Sequence, residues 1–141
     1  DDPKLIPFAV EEVLRFNPAF VQMRRTVMED VEIRGKQLKA GDKMVLNWHA
    51  INHDPEIFKN PETFDVERFK NNPELVSQHR AFGNGEHFCI GAHMSRLEIQ
   101  VMFEEFVPRL RNPKFAKPVK FVRDYFVNAI KSMPITFDPE V

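Results

Sequence analysis

The sequence predicts an α+β fold, and three observations predict it. Residues 7–17 carry apolar side chains at helical spacing between two prolines. Residues 21–47 hold short alternating runs broken at two glycine turns. Residues 91–110 repeat apolar positions on a helical period over several turns, directly after a loop that holds the only cysteine.

The first helix is framed by its prolines. Pro7 fits the first turn, where its missing N–H is no loss, and Pro18 stops the helix. Phe8, Val10, Val13, Leu14 and Phe16 supply the apolar side. Further on, Val31 and Ile33 alternate with polar neighbours, Gly35 and Lys36 turn the chain, and Leu38 follows. Gly41 and Asp42 turn it again before Met44 to Leu46, which predicts one small antiparallel sheet.

Residues 48–53 read as a short helical turn. From 54 to 80 the chain is irregular, punctuated by Pro55, Pro61 and Pro73. So long an irregular stretch in a compact protein is functional or pinned by specific contacts. In residues 91–110, Met94, Leu97 and Val101 form one face, and Ile99, Met102, Phe103 and Phe106 widen it. The tail predicts strands over 119–127 and 132–137. A stripe that wide wants burial on more than one side, and the rest of the chain offers few partners for it. The chain reads as part of a larger core.

Composition narrows the function classes. The 141 residues are 43% hydrophobic and 29% charged, as in soluble globular proteins. A formal charge of −1 argues against a nucleic-acid partner. One cysteine cannot form an internal disulfide, which suits a reducing, cytoplasmic setting. No run approaches the length of a membrane span. The opening DDPKLIPFAVEE has neither the basic start nor the apolar centre of a signal peptide, and it reads as the inside of something longer.

Cys89 stands in AFGNGEHFCIGAHMSRLEIQ, residues 81–100. A thiol ahead of a helix meets unsatisfied N–H groups and the positive end of the helix dipole, which favour the thiolate. Gly83, Gly85 and Gly91 permit unusual backbone angles or the close approach of something flat. The residues alone leave four readings open. One is an inert buried cysteine. A zinc site with His79, His87 and His93 is the second, at a spacing unusual for zinc. A nucleophile with a histidine base is the third. A lone axial thiolate of haem iron is the fourth, and it needs no second protein ligand.

The stretch FGNGEHFCIG, residues 82–91, resembles the haem-binding loop of the cytochrome P-450 monooxygenases. That pattern has phenylalanine seven before the cysteine, glycine four before and glycine two after; Phe82, Gly85, Cys89 and Gly91 meet it. The resemblance implies haem b as cofactor, with Cys89 the iron ligand and Phe82 packed beside the thiolate. It makes Gly83 and Gly91 part of the cofactor loop and gives His87 a haem propionate. Glu12-Val13-Leu14-Arg15 matches the family's Glu-x-x-Arg helix, and FDVERF, residues 64–69, matches the segment whose arginine, here Arg68, joins that pair. A cluster of Glu12, Arg15 and Arg68 follows, able to pin an irregular segment.

Arg25, in RRTVMEDVEI, stands where relatives carry an arginine for a propionate, while Arg24 faces the other way on a strand. His49, His53 and Trp48 read as structural. The resemblance covers essentially the whole chain but only the C-terminal third of the family fold. It implies that residues 1–141 are the haem-binding portion of a single larger domain whose remainder is a required partner. The complete enzyme would insert one atom of O2 into an apolar substrate, here a terpenoid, steroid or branched lipid lined by Ala19, Phe20, Val21 and Phe126. Electrons would come from a ferredoxin or flavodoxin-type donor, with Arg80, Arg96, Arg109 and Arg111 as docking charges and Glu86 opposing them. The isolated chain is expected to be inactive. A haem-binding fragment without activity, and a cysteine-nucleophile enzyme, stand as alternatives.

Overall fold

A computed structural model describes residues 2–138. A single turn of 3-10 helix, Pro3–Leu5, leads into α1, Ile6–Phe16. Pro7 lies in the first turn, and the helix ends where the Asn17 N–H meets the Val13 carbonyl at 3.0 Å, just before Pro18. Its inner face buries Val10, Glu12 and Arg15, so a carboxylate and a guanidinium enter the core beside a valine.

β1, Gln22–Thr26, pairs antiparallel with β4, Lys43–Asn47. β2, Val31–Ile33, pairs with β3, Lys36–Leu38, across a turn at Arg34 and Gly35, both with positive φ (46° and 75°). The one sheet expected here is two separate ribbons. The main ladder ends at Val27, whose backbone bonds to Asp42 and Gly41, and the β2–β3 hairpin then projects into solvent.

α2, Trp48–Asn52, is capped by the Asn47 side chain on the Ala50 N–H at 3.0 Å. The irregular stretch beyond it holds α3, Arg68–Asn71, and a 3-10 helix over Pro73–Ser77. Val10, Trp48, Phe58, Phe69, Ala81 and Ala92 form the apolar core, wrapped around buried Glu12, Arg15, Asn52 and Arg68.

α4, Ala92–Phe106, packs on α1 and passes into a 3-10 turn, Val107–Arg109. Pro108 has no N–H to continue the α-helical ladder, so the helix tightens before residue 110. Only Ala92 of α4 is buried; Met94, Leu97, Val101, Met102 and Phe106 are exposed.

In the tail, β5, Arg111–Phe115, pairs with β8, Ile135–Asp138, and β6, Lys120–Phe121, pairs with β7, Ile130–Ser132. The strand expected over 119–127 is therefore only two residues long. The Asp124 side chain accepts the Phe126 and Val127 N–H groups at 2.6 and 3.1 Å, which turns the chain out of extended form. The strand expected over 132–137 is divided at Met133 and Pro134. β5 escapes sequence reading because Pro113 and a positive φ of 49° at Asn112 break its register between Arg111 and Lys114. The fold is α+β, with small antiparallel ribbons and a long helix immediately after the sole cysteine.

Candidate functional site

Three backbone hydrogen bonds close the cysteine loop: Gly83 N–H to Arg80, Phe88 N–H to Gly85 and Cys89 N–H to Phe82, each at 3.0 Å. Gly83 and Gly85 have φ of +77° and +69°, where a side chain is strained. Cys89 is a free, exposed thiol. A Cβ on Gly91, the N-cap of α4, would stand 3.8 Å from the Cys89 Sγ and fill space beside it. Phe88, Ile90, Met94 and Leu97 are exposed around this loop and the first turns of α4. Among the described residues, no three His, Cys, Asp or Glu side chains converge to hold a metal ion. One soft sulfur among open apolar side chains fits haem, which would need a single thiolate and no second protein ligand from this loop.

His87 ends a one-turn 3-10 helix, Gly85–His87, and is exposed. Arg25 is half-buried on β1 opposite Met44 and donates to the Arg24 carbonyl at 3.0 Å, while Arg24 is exposed.

The structure brings Glu12, Arg15 and Arg68 together in the core. Arg15 donates to both Glu12 oxygens at 2.8 Å and to the Asn52 carbonyl at 2.9 Å. Arg68 Nε lies 3.1 Å from Glu12 Oε2, and its terminal nitrogens reach the carbonyls of Lys59, Asn60 and Thr63 at 2.6, 3.2 and 2.8 Å. The Asp65 N–H adds a fourth donor to Glu12 at 2.9 Å. Burial disfavours the Glu12 carboxylate, but these hydrogen bonds and the two guanidinium charges outweigh it and hold the carboxyl below its ordinary range. An irregular segment is thereby fixed by its own carbonyls.

A second cluster stands beside the first, and sequence reading did not find it. Glu11 receives Arg96 at 2.7 and 3.1 Å and the His79 imidazole at 2.9 Å. Burial again opposes ionisation, and the contacts with His79 and Arg96 hold the Glu11 carboxyl below its ordinary range. The Arg96 guanidinium lies 4.7 Å from the centre of the Phe82 ring. Arg96, read from sequence as a docking charge, is therefore engaged inward. Arg109 pairs with Glu105 at 2.8 Å, and Arg80 donates to the Ser77 carbonyl at 2.6 Å. His53 is buried and its Nδ1 lies 2.9 Å from the His49 carbonyl; burial, and the neighbouring His53, push the His49 imidazole below its ordinary value.

Residues 19–21 and 126–128 form a second assembly. Val21 N–H meets the Phe126 carbonyl at 2.9 Å and Asn128 N–H meets the Ala19 carbonyl at 2.8 Å. The Phe20 and Phe126 rings are 5.0 Å apart, and both are exposed, with Ala19 also exposed and Val21 half-buried.

The sequence profile of the family described as cytochrome P-450 matches residues 4–132. The chain belongs to the cytochrome P-450 family. This P-450 chain is 38% identical over 136 residues to cytochrome P-450-terp of Pseudomonas sp, covering 96% of the chain and 30% of that relative. It is 38% identical over 143 residues to the steroid C26-monooxygenase of Mycobacterium tuberculosis (strain CDC 1551 / Oshkosh), covering 98% of the chain and 36% of that relative. Among solved structures it is similar to cytochrome P-450 CREJ, with a TM-score of 0.87, 32% identity, and coverage of 97% of the chain and 33% of the other. The P-450 chain thus spans about a third of the length of the relatives it matches. Among the described residues, no helix is long and apolar enough to cross a membrane.

Proposed function

We propose that the chain is the C-terminal haem-binding portion of a P-450 monooxygenase, which inserts one atom of O2 into a terpenoid, steroid or branched-lipid substrate. The observation that carries this reading is Cys89, a free and exposed thiol on a loop closed by Gly83, Gly85 and the Phe82 carbonyl. Haem b, when bound, supplies the redox chemistry that activates oxygen. Every other task falls to side chains. Cys89 holds the iron through Sγ, and the absence of a side chain at Gly91 leaves room beside the sulfur. Arg25 and His87 take the propionate carboxylates, for which an arginine fork is suited. The Glu12, Arg15 and Arg68 cluster fixes the coil that packs beside α1.

Ala19, Phe20, Val21 and Phe126 offer the substrate an apolar wall, which excludes water and accepts an alkyl group. A steroid-acting relative at 38% identity supports that substrate class. A ferredoxin or flavodoxin-type donor supplies electrons. The single cysteine supports a cytoplasmic setting. The 141-residue chain alone lacks most of the length of its relatives and is expected to show no turnover. The test is turnover of the longer polypeptide with a donor, a terpenoid or steroid and isotopically labelled O2. One labelled oxygen in the product is expected; product without label from O2 contradicts the assignment.

A further inference from the structure

The second charged cluster reaches the cysteine by a continuous route. Glu11 on α1 holds Arg96 on α4 by a fork at 2.7 and 3.1 Å. The guanidinium stacks 4.7 Å from the Phe82 ring. Phe82 gives its carbonyl to the Cys89 N–H at 3.0 Å. His79 braces the same point, with one ring nitrogen 2.9 Å from Glu11 and the other accepting the Ala81 N–H at 3.4 Å.

This is more than a surface ion pair. The Glu11 and Arg96 side chains are only 13% and 24% exposed, and the two-point fork that holds the cation over the Phe82 ring needs a planar guanidinium, which a lysine does not have. Beside them lies a groove of about 160 Å³, bordered by Val76, His79, Phe82, Phe88 and Arg96, into which an unheld Phe82 ring can swing. We infer that Glu11 and Arg96 are positioning residues: they fix the Phe82 ring and, through the Phe82 carbonyl, the backbone that presents the Cys89 thiolate. The inference rests on the haem–thiolate reading above. Neither residue touches the sulfur; both act through Phe82.

The test uses the full-length, haem-loaded protein and two charge-conserving variants. Arg96→Lys removes the fork and the stacking plane, and Glu11→Asp shortens the reach to Arg96; one remains usable if the other fails to load haem. A freed ring loosens the backbone from Phe82 to Cys89 and lets water reach its polar groups in the loaded protein, and the reduced centre, with one more negative charge, gains most from that water. The reduction potential therefore rises, by about a threefold change in the one-electron equilibrium, or ~28 mV. Amide hydrogen exchange across residues 82–89 accelerates about tenfold. A loaded variant with the parent's potential and exchange, changed only in melting temperature, overturns the inference. The thiolate signature of the parent is read first: its absence overturns the haem–thiolate reading and this inference with it, whereas its presence with unchanged variants overturns the inference alone.

Discussion

Arg15 and Glu12 meet side-on in the core, with the guanidinium Nε and one terminal nitrogen each 2.8 Å from a carboxylate oxygen and neither side chain exposed. Glu12 also holds Arg68, so one carboxylate balances two buried cations. Glu12→Gln keeps the shape but leaves both guanidinium groups uncompensated. The expected loss is about 3–5 kcal/mol of folding stability. Denaturant unfolding of the parent and variant measures it, and a loss below about 1 kcal/mol would show that the cluster is not the anchor described.

Acid should loosen the fold through the same helix. Both Glu11 and Glu12 have carboxyls held below the ordinary value of 4.5. The unfolded chain then binds more protons than the folded one, so this stability is full above the ordinary value and drains away as pH falls through the depressed folded values. The denaturant midpoint should drop steeply below about pH 4.5, and less steeply in Glu11→Gln, which removes one of the two titrating groups. Equal slopes in parent and variant would remove Glu11 from the linkage.

Gly85 sits at a φ of +69° with open space around its missing Cβ. Gly85→Ala therefore costs backbone strain rather than a clash, about 1–2 kcal/mol. Because the Phe88 N–H bonds to the Gly85 carbonyl, the strain falls on the cysteine loop. Lower haem occupancy at unchanged secondary structure is the expected result, read by the ratio of haem to protein absorbance beside far-ultraviolet circular dichroism. Full occupancy would separate the loop's backbone from cofactor binding.

What could be read from sequence was local. Pro7 and Pro18 bound α1, the glycines mark the turns, and Glu12 and Arg15 lie three apart on one helical face. The cysteine loop is legible because its glycines and its thiol fall within ten residues. Contacts between distant segments were not legible. Glu11 meets His79 and Arg96 across 68 and 85 residues, and no local pattern points from it to either partner. Arg96 looked like a solvent charge for the same reason. β5 was hidden because Pro113 forbids a regular ladder, and the split of the expected central sheet depends on where the Val27 backbone finds partners.

The most direct test of the central claim is the absorption spectrum of the full-length protein, reduced and exposed to carbon monoxide. With Cys89 as the iron ligand, the parent shows the long-wavelength Soret band of thiolate-ligated haem, and Cys89→His loses that band while retaining haem. A Cys89→His protein that keeps the band, or a parent that binds haem without it, would contradict the account.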